Sequence, residues 1–479
     1  MIADVRPARF GPASLPTVAW VLIGGVCVAI AGLAVWAGPL VTLGIALAIL
    51  VAIPVVWAIS SPGRALAVYA FALPLDLYLS TTLRVTSTQV LQVAIFTAWM
   101  IRLLLEERRP HAPRPTETVL PYRMGALLIG YLIFSLTWSV NVDASARSVV
   151  RNLGAILMAV YAAGHADRAT LGRITRAMCY GALVTAAYGY VQYARGGYDA
   201  LYPLFSPFYQ NPFVARGGGF AVVSTFANPN ILAGYLLMVL PLAWASCVSA
   251  AGLRRAAWLL AAVLLGGLLL LTFSKASWLL CFTLLGLWAL ARLPIGATFA
   301  VGAAGGVVAG VILLLIEPVI RTLTFLFPDS REVSVDTRLG LWWAAIAAFL
   351  ERPLLGFGLD GFAAATAGIR YGLLADLIRA HNMYLQALVD LGIVGSVLWW
   401  TPCVLIVRRA IARLNLDDHG ASASLHLGLV LSAAAFFLYG LVETLNISNQ
   451  YVNTSWLVIG LLAASSHQQR RGRQGAPAA

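Results

Sequence analysis

His381 opens the stretch His-Asn-Met-Tyr-Leu-Gln-Ala-Leu-Val-Asp-Leu-Gly392-Ile-Val-Gly395. At ~100° per residue, His381, Tyr384, Leu385, Leu388, Gly392 and Gly395 share one helix face, with Asn382, Gln386 and Asp390 in an adjacent polar wedge. Small residues on that face let a neighbouring helix come close. Imidazoles exchange protons near neutral pH, so a histidine at the mouth of such a helix, beside hydrogen-bonding groups, suits acid–base chemistry. The bland alternative is an interfacial histidine making one satisfied hydrogen bond.

Two arginines could bind an anion. Arg338 lies in a stretch from Ser334 to Pro353 where Asp336 is a good N-cap and Pro353 a stop. Leu339, Trp342, Trp343, Ile346 and Leu350 form one apolar stripe, the pattern of an interfacial amphipathic helix too short to span. A cation in the first turn is disfavoured by the helix dipole by ~0.3–1 kcal/mol. A bound anion would reverse that sign, because free N–H groups and the guanidinium would hold it together. A local pair with Asp336 or Glu332 is the competing explanation. Arg216 precedes three glycines, and Asn228-Pro229-Asn230 reads as an N-cap with proline at the first helical position. The glycines allow close approach of backbone to a ligand, or simply make a flexible turn. No Asp-x-Asp pair, histidine cluster or Walker-type loop is present, and Asp329, Glu332, Asp336 and Asp360 show no metal-ligand spacing.

The elements that must position these residues are membrane helices. Hydrophobic residues make up 60% of the chain, charged ones 11%, and the mean hydropathy is +0.84, whereas a soluble domain carries about a quarter charged residues. Apolar runs near the ~20 residues of a helical span recur throughout, and they lack the alternation of a β-barrel. The spans expected are 16–36, 38–60, 64–80, 86–105, 121–140, 148–165, 172–194, 230–250, 255–273, 276–292, 295–316, 382–407, 422–442 and 451–466. The third and tenth are short enough to be partial, so the expectation is an all-α bundle of about 12–14 spans.

The net charge of +13 is explained by topology rather than nucleic acid. Clusters at Arg102/Arg108/Arg109/Arg114/Arg123, Arg168/Arg173/Arg176, Arg254/Arg255, Arg292 and Arg408/Arg409/Arg413 fall in alternate loops. They share one side with Arg6/Arg9 and Arg470/Arg471/Arg473 if both termini are cytoplasmic. Long connections at 195–229 and 317–380 then face outward, and connections of that length are usually functional or disordered. Arg6 and Arg9 precede a long apolar stretch without a cleavage signal. All five cysteines lie in apolar runs, as small core residues without disulfides. The chain divides into helices at 1–194, a central region at 195–410 holding both outer loops, and closing helices with a basic tail at 411–479. A transporter is disfavoured, since Lys275, Asp76 and Glu443 lie near span ends and no charge marks a mid-membrane path.

Arg216 with Thr225-Phe-Ala-Asn-Pro-Asn-Ile-Leu-Ala233, then Thr272-Phe-Ser-Lys275, Arg338, Arg352-Pro-Leu-Leu-Gly-Phe-Gly358, and His381-Asn382 with Gly392 and Gly395, resemble the O-antigen ligase superfamily over roughly residues 200–410. That superfamily includes lipopolysaccharide ligases, repeat-unit polymerases and O-oligosaccharyltransferases, and the His-Asn to Gly-x-x-Gly spacing matches the ligases. The resemblance implies a C-type membrane glycosyltransferase fold with a helical outer loop. It implies transfer of a preassembled glycan from undecaprenyl diphosphate to an acceptor hydroxyl, on lipid A–core or another glycan, at the outer face of a bacterial inner membrane. Neither a nucleotide sugar nor a metal is implied. His381 is then the expected general base, with Arg216 and Arg338 on the diphosphate and Asn230, Lys275 and Asn382 as further substrate contacts. Lys275 stands where family members often carry arginine; it keeps the charge and loses the bidentate fork.

Overall fold

The computed structural model describes residues 61–80, 84–106, 119–196, 201–207, 214–216, 219–292, 335–369, 379–444 and 448–474. The expected spans 16–36, 38–60 and 295–316 lie outside the described residues, as do 317–334 and 370–378 of the second long connection. The remainder is overwhelmingly helical. Its helices are α1 (Pro62–Ala72), α2 (Ser87–Glu106), α3 (Val119–Phe134), α4 (Val142–His165), α5 (Arg168–Ala194), α6 (Tyr202–Phe205), α7 (Pro229–Val248), α8 (Gly252–Leu270), α9 (Lys275–Arg292), α10 (Val335–Glu351), α11 (Phe362–Ala365), α12 (Met383–Ile411), α13 (Ala421–Tyr439) and α14 (Asn449–Gln474). Two small antiparallel hairpins, β1 (Tyr78–Ser80) with β2 (Val85–Thr86) and β3 (Val214–Arg216) with β4 (Gly219–Ala221), correct the all-α expectation at its edges.

Among the described residues four helices, α7, α8, α12 and α13, are both long and apolar enough to cross a membrane. α4, α5 and α14 contain the expected spans, run past them and carry arginines near one end. α1 stops after 11 residues, about 16 Å of helix, and gives way to a 3₁₀ turn and strand β1. The span expected at 64–80 is therefore partial.

α14 packs along α4, and α13 along α7. Small residues make both seams possible. A side chain at Gly460 would overlap the backbone of Ala159, and one at Gly428 would meet the Pro241 carbonyl at 2.9 Å. This is the close approach that bilayer helices use in place of a hydrophobic driving force. Aromatic side chains such as Tyr69, Tyr161, Tyr235 and Tyr439 fill the space between the seams.

α12 is broken at Gly392, where φ is 63° and ψ is −170°. The N–H groups of Ile393 and Val394 donate instead to the carbonyls of Pro353 (2.8 Å) and Leu354 (3.2 Å). Gly392 was expected on a smooth helix face; it is the hinge that receives the turn following α10. Gly395 does serve close packing, since a side chain there would run into Tyr131, whose hydroxyl donates to the Leu391 carbonyl at 2.6 Å. Gly392→Ala would combine a left-handed backbone with overlap onto the Leu354 carbonyl. We expect it to cost about 2–4 kcal/mol, read as a lowered thermal midpoint in detergent.

Candidate active site

Glu443 follows α13 at the end of an apolar run and is only 4% exposed. A carboxylate so buried needs partners, and it has three. Its Oε1 accepts from Asn230 Nδ2 at 2.7 Å and from Arg338 Nη2 at 3.0 Å. Its Oε2 lies 3.0 Å from His381 Nδ1. Residues from the starts of α7, α10 and α12 thus converge on one carboxylate beyond the end of α13.

The backbone around His381 is tightly held. His381 itself has φ of 48°, in the left-handed region, a conformation that persists for a non-glycine residue when its neighbours over-determine it. Ala380 N–H donates to Gln386 Oε1 (3.1 Å), Asn382 N–H to Thr444 Oγ1 (3.0 Å) and Met383 N–H to the Gly440 carbonyl (2.7 Å). Asn382 caps α12, its Oδ1 accepting from the N–H groups of Tyr384 and Leu385 while Nδ2 donates to the Leu441 carbonyl. Its side chain also holds the histidine loop against the end of α13.

Arg338 is held by Glu443. α10 begins at Val335, so Asp336 falls inside the first turn rather than at the cap. The guanidinium Nε and, one turn on, the Trp342 indole Nε1 are buried donors without an acceptor among the described residues. Unsatisfied buried donors are costly, and the first of them belongs to the arginine that Glu443 holds. The apolar stripe of α10 faces outward, with Trp343 73% exposed, while Leu341, Ala345 and Ala348 pack inward. Such an outward apolar face suits contact with lipid.

A second charged group buttresses the histidine loop. Asp360 pairs with Arg379, two residues before His381, and accepts from Ser148 Oγ at 3.2 Å. Ser148 in turn accepts from Arg151 at 2.7 Å. Burial alone would raise the Asp360 carboxyl, but Arg379 and Arg151 outweigh it and hold it below the usual carboxylate range. The stabilisation is then fully present above the ordinary aspartate value of ~3.9 and is lost as pH falls through the lower folded value. Asp360→Asn should remove that acid dependence. It should also cost about 3 kcal/mol by leaving buried guanidinium charge unpaired, measurable by thermal unfolding between pH 3 and 7.

The other expected residues lie on the β3–β4 hairpin and at the start of α9. Arg216 pairs with Gly219 through the β3–β4 backbone; its side chain lies outside the described residues. Lys275 opens α9 on the exposed rim. Beside it, Ser274 Oγ is 3.0 Å from the Tyr439 hydroxyl, which donates to the Asn230 carbonyl at 3.3 Å. Sequence reasoning passed over Glu443 as a charge near a span end. The available signal was its isolation, because residues 419–479 contain no other aspartate or glutamate. Below His381, an apolar groove of about 320 Å³ follows α12 past Leu388, Ile393, Val397, Trp400 and Val404.

Among curated proteins, none matches the chain. Residues 260–400, which contain Lys275, Arg338, His381 and Asn382 but neither Asn230 nor Glu443, match the family model described as O-Antigen ligase. The resemblance of this chain to the O-antigen ligase superfamily is thus borne out over that segment.

Proposed function

We propose that the protein is a membrane glycosyltransferase that moves a preassembled glycan from undecaprenyl diphosphate to an acceptor hydroxyl. The carrying observation is that one buried carboxylate, Glu443, holds both His381 and Arg338. With Nδ1–H donated to Glu443, the Nε2 lone pair of His381 is left to accept the acceptor's proton. The acceptor oxygen then bonds to the anomeric carbon as the bond from that carbon to the diphosphate oxygen breaks. Glu443 stabilises the imidazolium so formed, in the manner of a carboxylate behind a catalytic histidine. The leaving diphosphate gains negative charge, which Arg338 meets through donors not used by Glu443, with Arg216 and Lys275 as the further cations expected to act on it. A preorganised donor of this kind is worth ~3–4 kcal/mol of transition-state stabilisation.

The polyprenyl tail would lie in the α12 groove, whose apolar lining suits hydrocarbon. Orientation follows from charge. Arg168, Arg173, Arg176 and Arg254 gather at the end of α7 and α13 opposite Glu443, so the positive-inside rule puts them in the cytoplasm and the site outside. Lipid A–core is the acceptor we favour, because the His-Asn to Gly-x-x-Gly spacing follows the ligases. A repeat-unit polymerase would use the same donor chemistry with a second carrier-linked glycan.

The test is transfer by the purified protein, given undecaprenyl-diphosphate-linked glycan with and without lipid A–core, followed by gel shift. Product on core lipid supports the ligase. A ladder from donor alone replaces it with the polymerase, and no donor consumption by folded protein overturns both. Trp342→Phe removes the unpartnered indole N–H while keeping the ring. We expect about a tenfold loss of transfer with unchanged thermal stability if that donor meets substrate; unchanged transfer would remove it from the site.

A further inference from the structure

A large basic cavity lies at the other end of the bundle among the described residues. It has a volume of about 1340 Å³, beyond the ~300–1,000 Å³ of an ordinary small-ligand pocket. α7 and α13 each carry the Glu443 site at one end and this cavity at the other. The 20 residues of α7 separate the two by about 30 Å, one hydrocarbon thickness.

Its lining contains Arg168, Arg173, Arg176 and Arg254, and no aspartate or glutamate. Carboxylates nearby are engaged elsewhere: Asp167 caps α5 through the Thr170 N–H, with Arg173 in its field, and Asp418 accepts from the Gly420 N–H. Three helices, α5, α8 and α13, also begin at the cavity wall. None has an acidic residue in its first turn, and α8 and α13 lack a side-chain cap. Arg254, in the first turn of the uncapped α8, lies at the positive end of a helix dipole, an arrangement unfavourable when empty and reversed in sign by a bound anion.

The rest of the cavity is not built for a small free anion. Tyr180 and Trp258 stack at 5.7 Å between ring centroids beside the arginines, and such aromatics belong at a headgroup boundary. From there the wall continues along α5 and α8 through Leu183, Ala257 and Ala261. Cationic end, aromatic belt and apolar wall follow one another in the order of a phospholipid.

We infer that this cavity binds one anionic phospholipid, its phosphate among the four arginines and the uncapped starts of α8 and α13, and its acyl chains along α8. The site lies in the leaflet opposite Glu443 and takes no part in transfer chemistry. Basic pockets between membrane helices recognise anionic headgroups by this means.

The experiment reconstitutes full-length protein in nanodiscs of phosphatidylcholine and phosphatidylglycerol at 3:1 with matched chains. The protein is then extracted in mild detergent and the retained lipid counted by mass spectrometry. We expect wild type to retain about one phosphatidylglycerol per chain, enriched on the order of tenfold over the bilayer ratio. Removing arginines risks altering topology, so the first variant is Ala257→Trp, which fills the cavity and keeps every charge. It should lose the enrichment, as should R173Q/R176Q in correctly oriented protein. Retention at the bilayer ratio by wild type, undiminished enrichment in Ala257→Trp, or an acidic polypeptide bound in place of lipid would overturn the assignment.

Discussion

Glu443→Gln is expected to lower the turnover of glycan transfer by about 10²–10⁴-fold while the protein stays folded. The amide is nearly isosteric and its oxygen can still accept from Arg338 or Asn230, at 3.0 and 2.7 Å in the native site. What it loses is charge. It cannot stabilise an imidazolium, and its NH₂ group facing His381 Nδ1 would favour the opposite tautomer, turning Nε2 from acceptor to donor. A carboxylate-to-amide change behind a catalytic histidine has an effect of that size in serine proteases. If Glu443 were only a structural partner for Arg338, the variant would instead lose stability, with activity falling no further than the folded fraction. Thermal unfolding alongside single-turnover transfer separates the two. Glu443→Ala is the less informative variant, since leaving the Arg338 guanidinium unpaired costs about 3–5 kcal/mol on its own.

The second large effect is expected at His381. Removing the base should reduce the chemical step by about 10²–10⁴-fold, with donor affinity nearly unchanged, because Arg338 and Glu443 remain paired. The backbone requires care: at φ of 48° alanine carries the left-handed penalty of ~1–2 kcal/mol, which asparagine bears more easily. His381→Asn is therefore the companion to His381→Ala. Both should be inactive in transfer yet still bind the lipid-linked donor, read by retention of radiolabelled donor in detergent. Transfer at wild-type rate by either variant would remove His381 from the mechanism. Arg338→Ala should show the converse pattern, with weakened donor retention as well as slowed transfer.

Helices were legible in the sequence because a span is a local object. An unbroken apolar run satisfies its own backbone hydrogen bonds wherever it is placed, so α2, α5, α7, α8, α12 and α13 lie within a few residues of their expected limits. Local capping chemistry was legible for the same reason, at Asn228 before Pro229 and at Pro353 after α10. The two β hairpins were not, because their strands are three residues or fewer and depend on pairing rather than pattern.

His381, Arg338 and Asn230 could be singled out from residue type and position, along with the family they resemble. What they do together could not. The residue joining them is 62 positions from His381, 105 from Arg338 and 213 from Asn230, and no spacing rule operates over such distances. The same holds for Asn382, whose bonds to Leu441 and Thr444 tie the histidine loop to the end of α13. The sequence by itself determined where the described helices run and the chemical types available. Only the packing of α7, α10, α12 and α13 decided that a carboxylate beyond α13 would be buried among three polar side chains. The physical reason is that burying a charge carries a cost that only partners brought by tertiary contact can offset.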